Sequence, residues 1–221
     1  MDNIEEAISK VVGGKVLDVA TQEGHFVQLL MNNLQSYVQI VGIDIDQEAI
    51  KKAQETIRNK NIQFLVMNAE RMDFANESFD TASISASIHH LPNIQKVLTE
   101  MNRILTSGGN FILAEMHRDG QTAAELTSIY LHHWIGDVDT ALGRVHNHTM
   151  ERRELIAYVE TLGLRQVEYH DVIDKDADPK EKKQIEQLVA ASARWVTISI
   201  SSSNCSICFF SFGSASLSIT S

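Results

Sequence analysis

Along most of the chain, runs of β-branched and aliphatic residues alternate with segments whose apolar residues recur every three or four positions. Residues 15–19 (KVLDV), 39–44, 62–67, 79–85 and 110–115 read as strands, the apolar runs among them as buried ones. Residues 24–34 place Phe26, Leu29, Leu30 and Leu34 on one helical face, and residues 47–59 continue as a second helix. A third helix over residues 94–105 carries Ile94, Val97, Leu98, Met101, Ile104 and Leu105, and Ser107, Gly108 and Gly109 read as its stop. Further on, residues 121–142 are mostly helical and residues 151–162 form a helix ended by Gly163. Residues 164–173 alternate as a half-buried strand, and residues 180–193 form a polar helix after an acidic break.

Strands that alternate with helices predict an α/β fold: a doubly wound, mostly parallel sheet joined by right-handed crossovers. No internal repeat and no long linker divides the chain, so residues 1–193 are expected to form a single domain. Residues 195–221 contain no Asp, Glu, Lys or Arg and are rich in serine. This tail (residues 194–221) reads as a buried strand, a sticky end or sequence outside the ancestral fold, and the three readings stay open.

Composition narrows the function classes. The chain has 221 residues, with 19 Lys+Arg against 29 Asp+Glu and a formal charge of −10. That balance argues against a protein that tracks nucleic-acid phosphates, which needs clustered cations. No apolar run reaches about 18 residues, so no membrane span is expected. The acidic start, Met1-Asp2-Asn3-Ile4-Glu5-Glu6, lacks the features of a signal peptide, and a cytoplasmic location is expected. Cys205 and Cys208 form a lone CxxC, half of a zinc site at most.

The residues that suggest chemistry sit at strand ends, where open α/β sheets bind ligands. The first strand runs into Asp18-Val19-Ala20-Thr21-Gln22-Glu23-Gly24, the second ends at Asp44-Ile45-Asp46, the third leads to Asn68-Ala69-Glu70, and the fourth to Ser85 and His89-His90. Asp44 has the spacing of a ribose-binding carboxylate, although Asp44 or Asp46 also suits the cap of the next helix. Asp18 inside the first turn would repel a pyrophosphate and attract a ligand carrying an amino group and a positive charge.

Five segments in order, VLDVATQEGHF (16–26), VGIDID (41–46), NAE (68–70), SFD (78–80) with His89-His90-Leu91, and NRILTSGGNFILAE (102–115), resemble the motifs of class I S-adenosylmethionine-dependent methyltransferases of the small-molecule, quinone-biosynthesis-like group. The likeness covers roughly residues 10–175. It implies a Rossmann-like sheet of seven strands with helices on both faces, S-adenosyl-L-methionine as cofactor, and methyl transfer to a small-molecule acceptor. It also implies that Asp18, Ala20, Gln22 and Gly24 lie against the methionine part of the cofactor and that Asp44 holds the ribose. Ile45, Asn68, Ala69 and Glu70 would meet the adenine, and Ser85 would lie beside the cofactor. The sequence departs from the family at Gln22, where a glycine usually stands.

His89, His90, Glu115 and His117 are the candidate catalytic residues, although His89 and His90 also suit a loop that merely packs on the cofactor. His132, His133, His146 and His148, with Asp137 and Asp139 between them, have the residue types of metal ligands. Adjacent helical histidines point about 100° apart, so a solvated or substrate-facing surface is the expectation and no metal is assigned. Residues 117–150 are expected to form a lid over the acceptor, walled by Tyr130, Trp134 and the histidines. A homodimer stays open as the oligomeric state. The competing readings are a cofactor-binding, non-catalytic or regulatory protein on the same scaffold, favoured by Gln22 and the tail, and a nucleotide-dependent oxidoreductase. Asp18 and the lack of G-x-G-x-x-G count against the oxidoreductase.

Overall fold

A computed structural model describes residues 4–121 and 123–170. In chain order the elements are α1 (Ile4–Ser9), β1 (Val12–Val19), α2 (His25–Asn33), β2 (Ser36–Asp44), α3 (Gln47–Thr56), β3 (Ile62–Val66) and β4 (Phe79–Ser85). A one-turn 3₁₀ helix (Ile88–His90) leads to α4 (Ile94–Ile104), β5 (Leu105–Ala114), α5 (Ala123–Ala141) and α6 (Arg152–Glu160). The five strands form one sheet in the order β3-β2-β1-β4-β5, and every neighbouring pair is parallel.

Alternate residues of β1 divide between two apolar clusters, as the twofold period of a strand requires. Val16 joins Ile40 with Ile8, Val27, Leu30, Ile50 and Ala53 from α1, α2 and α3. Leu17 and Val19 join Ile43 and Ile84 with Val97, Leu98, Met101 and Leu155 from α4 and α6. At 25 cal/mol per Å², each such fully buried aliphatic side chain stabilises the fold by about 1.5–3 kcal/mol.

Two expectations need correction. Ser107, Gly108 and Gly109 do not stop a helix; α4 ends at Ile104 and β5 begins at once. Leu105 pairs with Phe79 and Asn110 with Thr81, so residues 106–109 bulge opposite the single residue Asp80. Gly109 permits this, because a Cβ there would lie 2.8 Å from the carbonyl oxygen of Asp80. Residues 164–170 are not a half-buried strand: they carry no strand pairing, and residues 165–170 are exposed. The rest of that segment, the polar helix at 180–193, Cys205, Cys208 and the uncharged tail lie outside the described residues.

Candidate functional site

Strand order reverses between β1 and β4, which opens a crevice at their carboxyl ends. Asp18 sits there, 1% exposed, with Oδ1 accepting a hydrogen bond from Ser83 Oγ at 2.7 Å. Its Oδ2 is buried and has no hydrogen-bond partner, and neither has the Oγ1 of Thr21. Burial pushes the Asp18 carboxyl up to about 7 and Asp44 adds a further upward push, while the hydrogen-bonded hydroxyl of Ser83 and the nearby hydroxyl of Thr21, which makes no hydrogen bond, pull it down.

The turn after β1 bends through left-handed backbone at Ala20 (φ 54°), Gln22 (φ 49°) and Gly24 (φ 86°), and Ala86 after β4 does the same (φ 45°). Three of the five described non-glycine residues with positive φ therefore border this crevice. Such a conformation costs an L-residue about 1–2 kcal/mol, and strain of this kind gathers at functional sites. It also explains why glycine suits positions 20 and 22. Ser87 Oγ donates to the carbonyl of Ser85 at 2.7 Å and to that of Ala20 at 3.4 Å, tying the two loops together.

Asp44 closes the turn from the β2 side. Its Oδ2 accepts from the backbone N–H of Gln22 at 2.9 Å, and its Oδ1 from that of Asp46 at 2.9 Å. The cap of α3 is Asp46, which accepts from Glu48 and Ala49, so Asp44 is not spent as a helix cap. In contrast to α3 and α4, α2 begins at Gly24 with no side-chain cap. A Cβ on Gly24 would lie 2.9 Å from Ile57 Cδ1. Next to Asp44, Ile45 is 71% exposed, a large apolar side chain held out at a strand end. Beyond β3, Asn68 accepts from the N–H of Glu70, Ala69 is half-buried, and the Glu70 carboxylate pairs with Lys96 at 3.1 Å.

At the ends of β4 and β5 the candidate catalytic groups meet. Glu115 accepts from the N–H of Ile88 at 2.8 Å and that of Met116 at 2.9 Å, and His89 Nδ1 lies 3.2 Å from its Oε1. A carboxylate can only accept, so His89 carries its proton on Nδ1 and turns a lone pair outward on Nε2. That Nε2 is buried with no partner. His90 packs on His89 with ring centroids 4.2 Å apart, and burial pulls it down to about 3, so it is neutral at physiological pH. His117 sits apart from this pair, its Nδ1 2.9 Å from the carbonyl of Asp119.

The segment after β5 folds back on these residues. His117 bridges Met150, the N–H of Arg118 bonds the Met150 carbonyl, and Asn147 donates its backbone N–H to the carbonyl of His89 at 2.8 Å. Inside the segment the histidines separate. His132 and His146 are buried with Asp139, whereas His148 is exposed, paired with Asp137 at 2.8 Å, and stacked on His133. A solvated surface therefore describes His148 and not His132 or His146. Tyr130 is 66% exposed and Trp134 also faces outward; the inward positions belong to Ile129, His132 and Ile135. Sequence reasoning missed the burial of Asp139, although His132, Ile135 and Asp139 stand at i, i+3 and i+7, one helical face.

A family model described as "Methyltransferase domain" matches residues 10–188, most of the chain. The chain belongs to the methyltransferase-domain family. Within the family it is 36% identical over 106 residues to the ubiquinone/menaquinone biosynthesis C-methyltransferase UbiE of Geobacter sp. (strain M21), covering 46% of this chain and 45% of that protein. It is 29% identical over 107 residues to the demethylmenaquinone methyltransferase of Porphyromonas gingivalis, covering 47% and 44%. The chain thus spans about half the length of the curated relatives it matches. Its fold is similar to that of an S-adenosylmethionine dependent methyltransferase from Mesorhizobium loti, with a TM-score of 0.62, 15% identity and coverage of 84% and 90%. A Methanosarcina mazei structure gives 0.59 at 21% identity, covering 80% and 91%. Among the described residues, no helix of this methyltransferase domain is long and apolar enough to cross a membrane.

Proposed function

We propose that the protein transfers a methyl group from S-adenosyl-L-methionine to a small-molecule acceptor, with quinone precursors the first acceptor class to test. The observation that carries this reading is the buried, unpartnered Oδ2 of Asp18 at the crevice of a methyltransferase-domain chain. A carboxyl group that burial holds half-protonated gains most from a ligand bearing an ammonium group and a sulfonium charge.

The residues present fit that cofactor. Asp18 and the left-handed turn at residues 20–24 hold its methionine end, with the uncapped start of α2 facing it. Asp44 accepts from the ribose hydroxyls while its bond to Gln22 keeps the turn in place. Ile45 packs on the adenine face, Asn68, Ala69 and Glu70 border the adenine edge, and Ser85 lies beside the cofactor. When bound, the cofactor supplies an electrophilic methyl group on positively charged sulfur. The chain's task is then to hold the acceptor in line, exclude water and take a proton where the acceptor must lose one. His89, held by Glu115, lies at the acceptor end with His90 packed on it, His117 stands apart from the pair just past β5, and residues 117–150 form the lid. Because Glu115 already accepts from two backbone N–H groups and His89, it orients His89 rather than acting as a free base. His90, neutral and weakly basic, lines the acceptor pocket.

By the family resemblance the complete fold has a sheet of seven strands with helices on both faces, in a single domain over residues 1–193. The protein acts in the cytoplasm, on a small molecule rather than nucleic acid, and whether it assembles as a homodimer stays open. Calorimetric titration with S-adenosylmethionine and its demethylated product tests the reading directly. Binding of both is expected, and Asp44→Ala should remove most of the affinity. No binding of either at millimolar concentration refutes the cofactor, and unchanged binding by Asp44→Ala refutes the ribose assignment.

A further inference from the structure

Four imidazoles crowd against one another where the segment after β5 folds onto the end of β4. Ring centroids are 4.8 Å apart for His89 and His132, 4.8 Å for His132 and His146, and 4.2 Å for His90 and His146. His89, His132 and His146 are 2%, 6% and 6% exposed. One ring nitrogen from each of the three lies within 4.8 Å of the others. The Nε2 atoms of His132 and His146 stand 3.2 Å apart in a hydrogen bond, whose proton a bound metal ion would replace.

The orientation of these rings is fixed from behind. His146 Nδ1 lies 2.8 Å from Asp139 Oδ2, and Asp139 in turn accepts from Arg144 at 2.9 Å. His89 Nδ1 lies against Glu115 Oε1. A carboxylate behind one ring nitrogen puts the proton there and the lone pair on the other, the arrangement found behind metal-bound histidines. In His89 that second nitrogen is buried and has no partner.

We propose that His89, His132 and His146 bind one divalent transition-metal ion of the zinc class through three imidazole nitrogens. Tetrahedral zinc with bonds of 2.0–2.1 Å spaces its ligand atoms about 3.3 Å apart, which the His132–His146 pair already meets. The 4.8 Å span then closes by roughly 1.5 Å on binding. Three protein ligands leave a fourth position open, as in sites where a metal holds water or a substrate atom. The ion stands at the end of β4 beside the proposed acceptor pocket, so this position receives water or an oxygen, nitrogen or sulfur atom of the acceptor. His133 and His148 take no part: they stack on each other and bond Thr149 and Asp137.

The site can be tested without the methyl donor, so its failure is separable from failure of the cofactor reading. The full-length protein, stripped with a chelator, is titrated with Co²⁺ and followed by visible absorption, then back-titrated with Zn²⁺. A saturable band at one cobalt per chain, displaced by zinc, is expected. His132→Ala and His146→Ala should abolish it, Asp139→Asn should weaken binding about 10–100-fold, and His148→Ala should leave it unchanged. Circular dichroism establishes that each variant is folded. Where an alanine variant is not, the same substitution to Gln is read instead. No saturable band in the wild-type protein overturns the proposal, as does a band that survives loss of His132 and His146. A thiolate-to-cobalt charge-transfer band that disappears in a Cys205→Ser, Cys208→Ser double variant overturns it too.

Discussion

Replacing Asp18 by asparagine isolates the electrostatic feature on which the cofactor reading rests. The folded carboxyl titrates at about 7 against 3.8 for the ordinary group, chiefly because it is buried. A raised folded value means that the native state keeps a proton the unfolded chain has already released, so stability is full below pH 4 and falls as pH rises towards 7. The slope is about 1.4 kcal/mol per pH unit, which over this gap amounts to about 4 kcal/mol lost by pH 8. The amide introduced by Asp18→Asn has nothing to ionise and keeps an oxygen for Ser83, but it leaves an N–H where Oδ2 was unpartnered, a penalty of about 1–3 kcal/mol. Urea denaturation of the ligand-free protein should therefore find Asp18→Asn about 1–3 kcal/mol more stable than wild type at pH 8 and less stable at pH 4. The same variant should bind S-adenosylmethionine more weakly, and without the rise in affinity through pH 6–7 expected of wild type as the ligand expels the proton. A wild-type-minus-variant stability difference that stays flat from pH 4 to pH 8 refutes the reasoning.

Gln22→Gly should relieve a left-handed φ of 49° while keeping the backbone bond to Asp44, raising stability by about 0.5–1 kcal/mol and Tm by about 1–4 °C. A lower Tm by calorimetry would contradict the strain assigned to the turn. Gly24→Ala combines φ 86° with a Cβ 2.9 Å from Ile57 Cδ1 and 3.1 Å from Phe64 Cζ. It should lose about 1–3 kcal/mol in urea denaturation and weaken cofactor binding, and a neutral effect on both would show that the turn is not held. Arg103 donates to the carbonyls of Met72 and Phe74 and to the side chains of Asn76 and Glu100. Arg103→Ala should cost about 2–3 kcal/mol of stability with little change in cofactor affinity, and a large affinity change would place the loop at residues 72–76 within the site.

The sheet was legible because its strands are short apolar runs between helical periods, and β4 falls on the expected residues 79–85. The misreadings share a cause: local pattern without the partner that decides it. Ser107-Gly108-Gly109 carries the composition of a helix stop, and only the register against Phe79 and Thr81 shows it to be a bulge. Leu164, Val167 and Tyr169 look like part of a strand, yet a strand exists only where another backbone pairs with it. Polarity alone assigns the histidines to the surface. His132 is turned inward by the face it shares with Ile135 and Asp139, while His146 arrives from a loop, a contact no local period encodes.

Among the described residues, the buried side-chain polar atoms without a hydrogen bond are Asp18 Oδ2, Thr21 Oγ1 and His89 Nε2. Native proteins pair nearly all such atoms, and leaving one unpaired costs about 1–3 kcal/mol. Chance would scatter them, but all three lie just at or beyond the carboxyl ends of β1 and β4, the two strands at which the sheet order reverses. Their chemistry divides as their positions do. On the β1 side a carboxyl and a hydroxyl face the turn with left-handed φ at residues 20, 22 and 24, where a cationic ligand supplies what is missing. Past β4 a buried imidazole nitrogen lacks a partner, which an ammonium meets with one N–H but which a metal ion meets together with His132 and His146. If one ligand satisfied all three atoms, cofactor binding alone would quench cobalt binding and the Asp18 and His132 substitutions would be strongly coupled. If the crevice holds two ligands side by side, the double variant Asp18→Asn, His132→Ala should lose cofactor affinity and cobalt binding independently, with free energies that add to within about 0.5 kcal/mol.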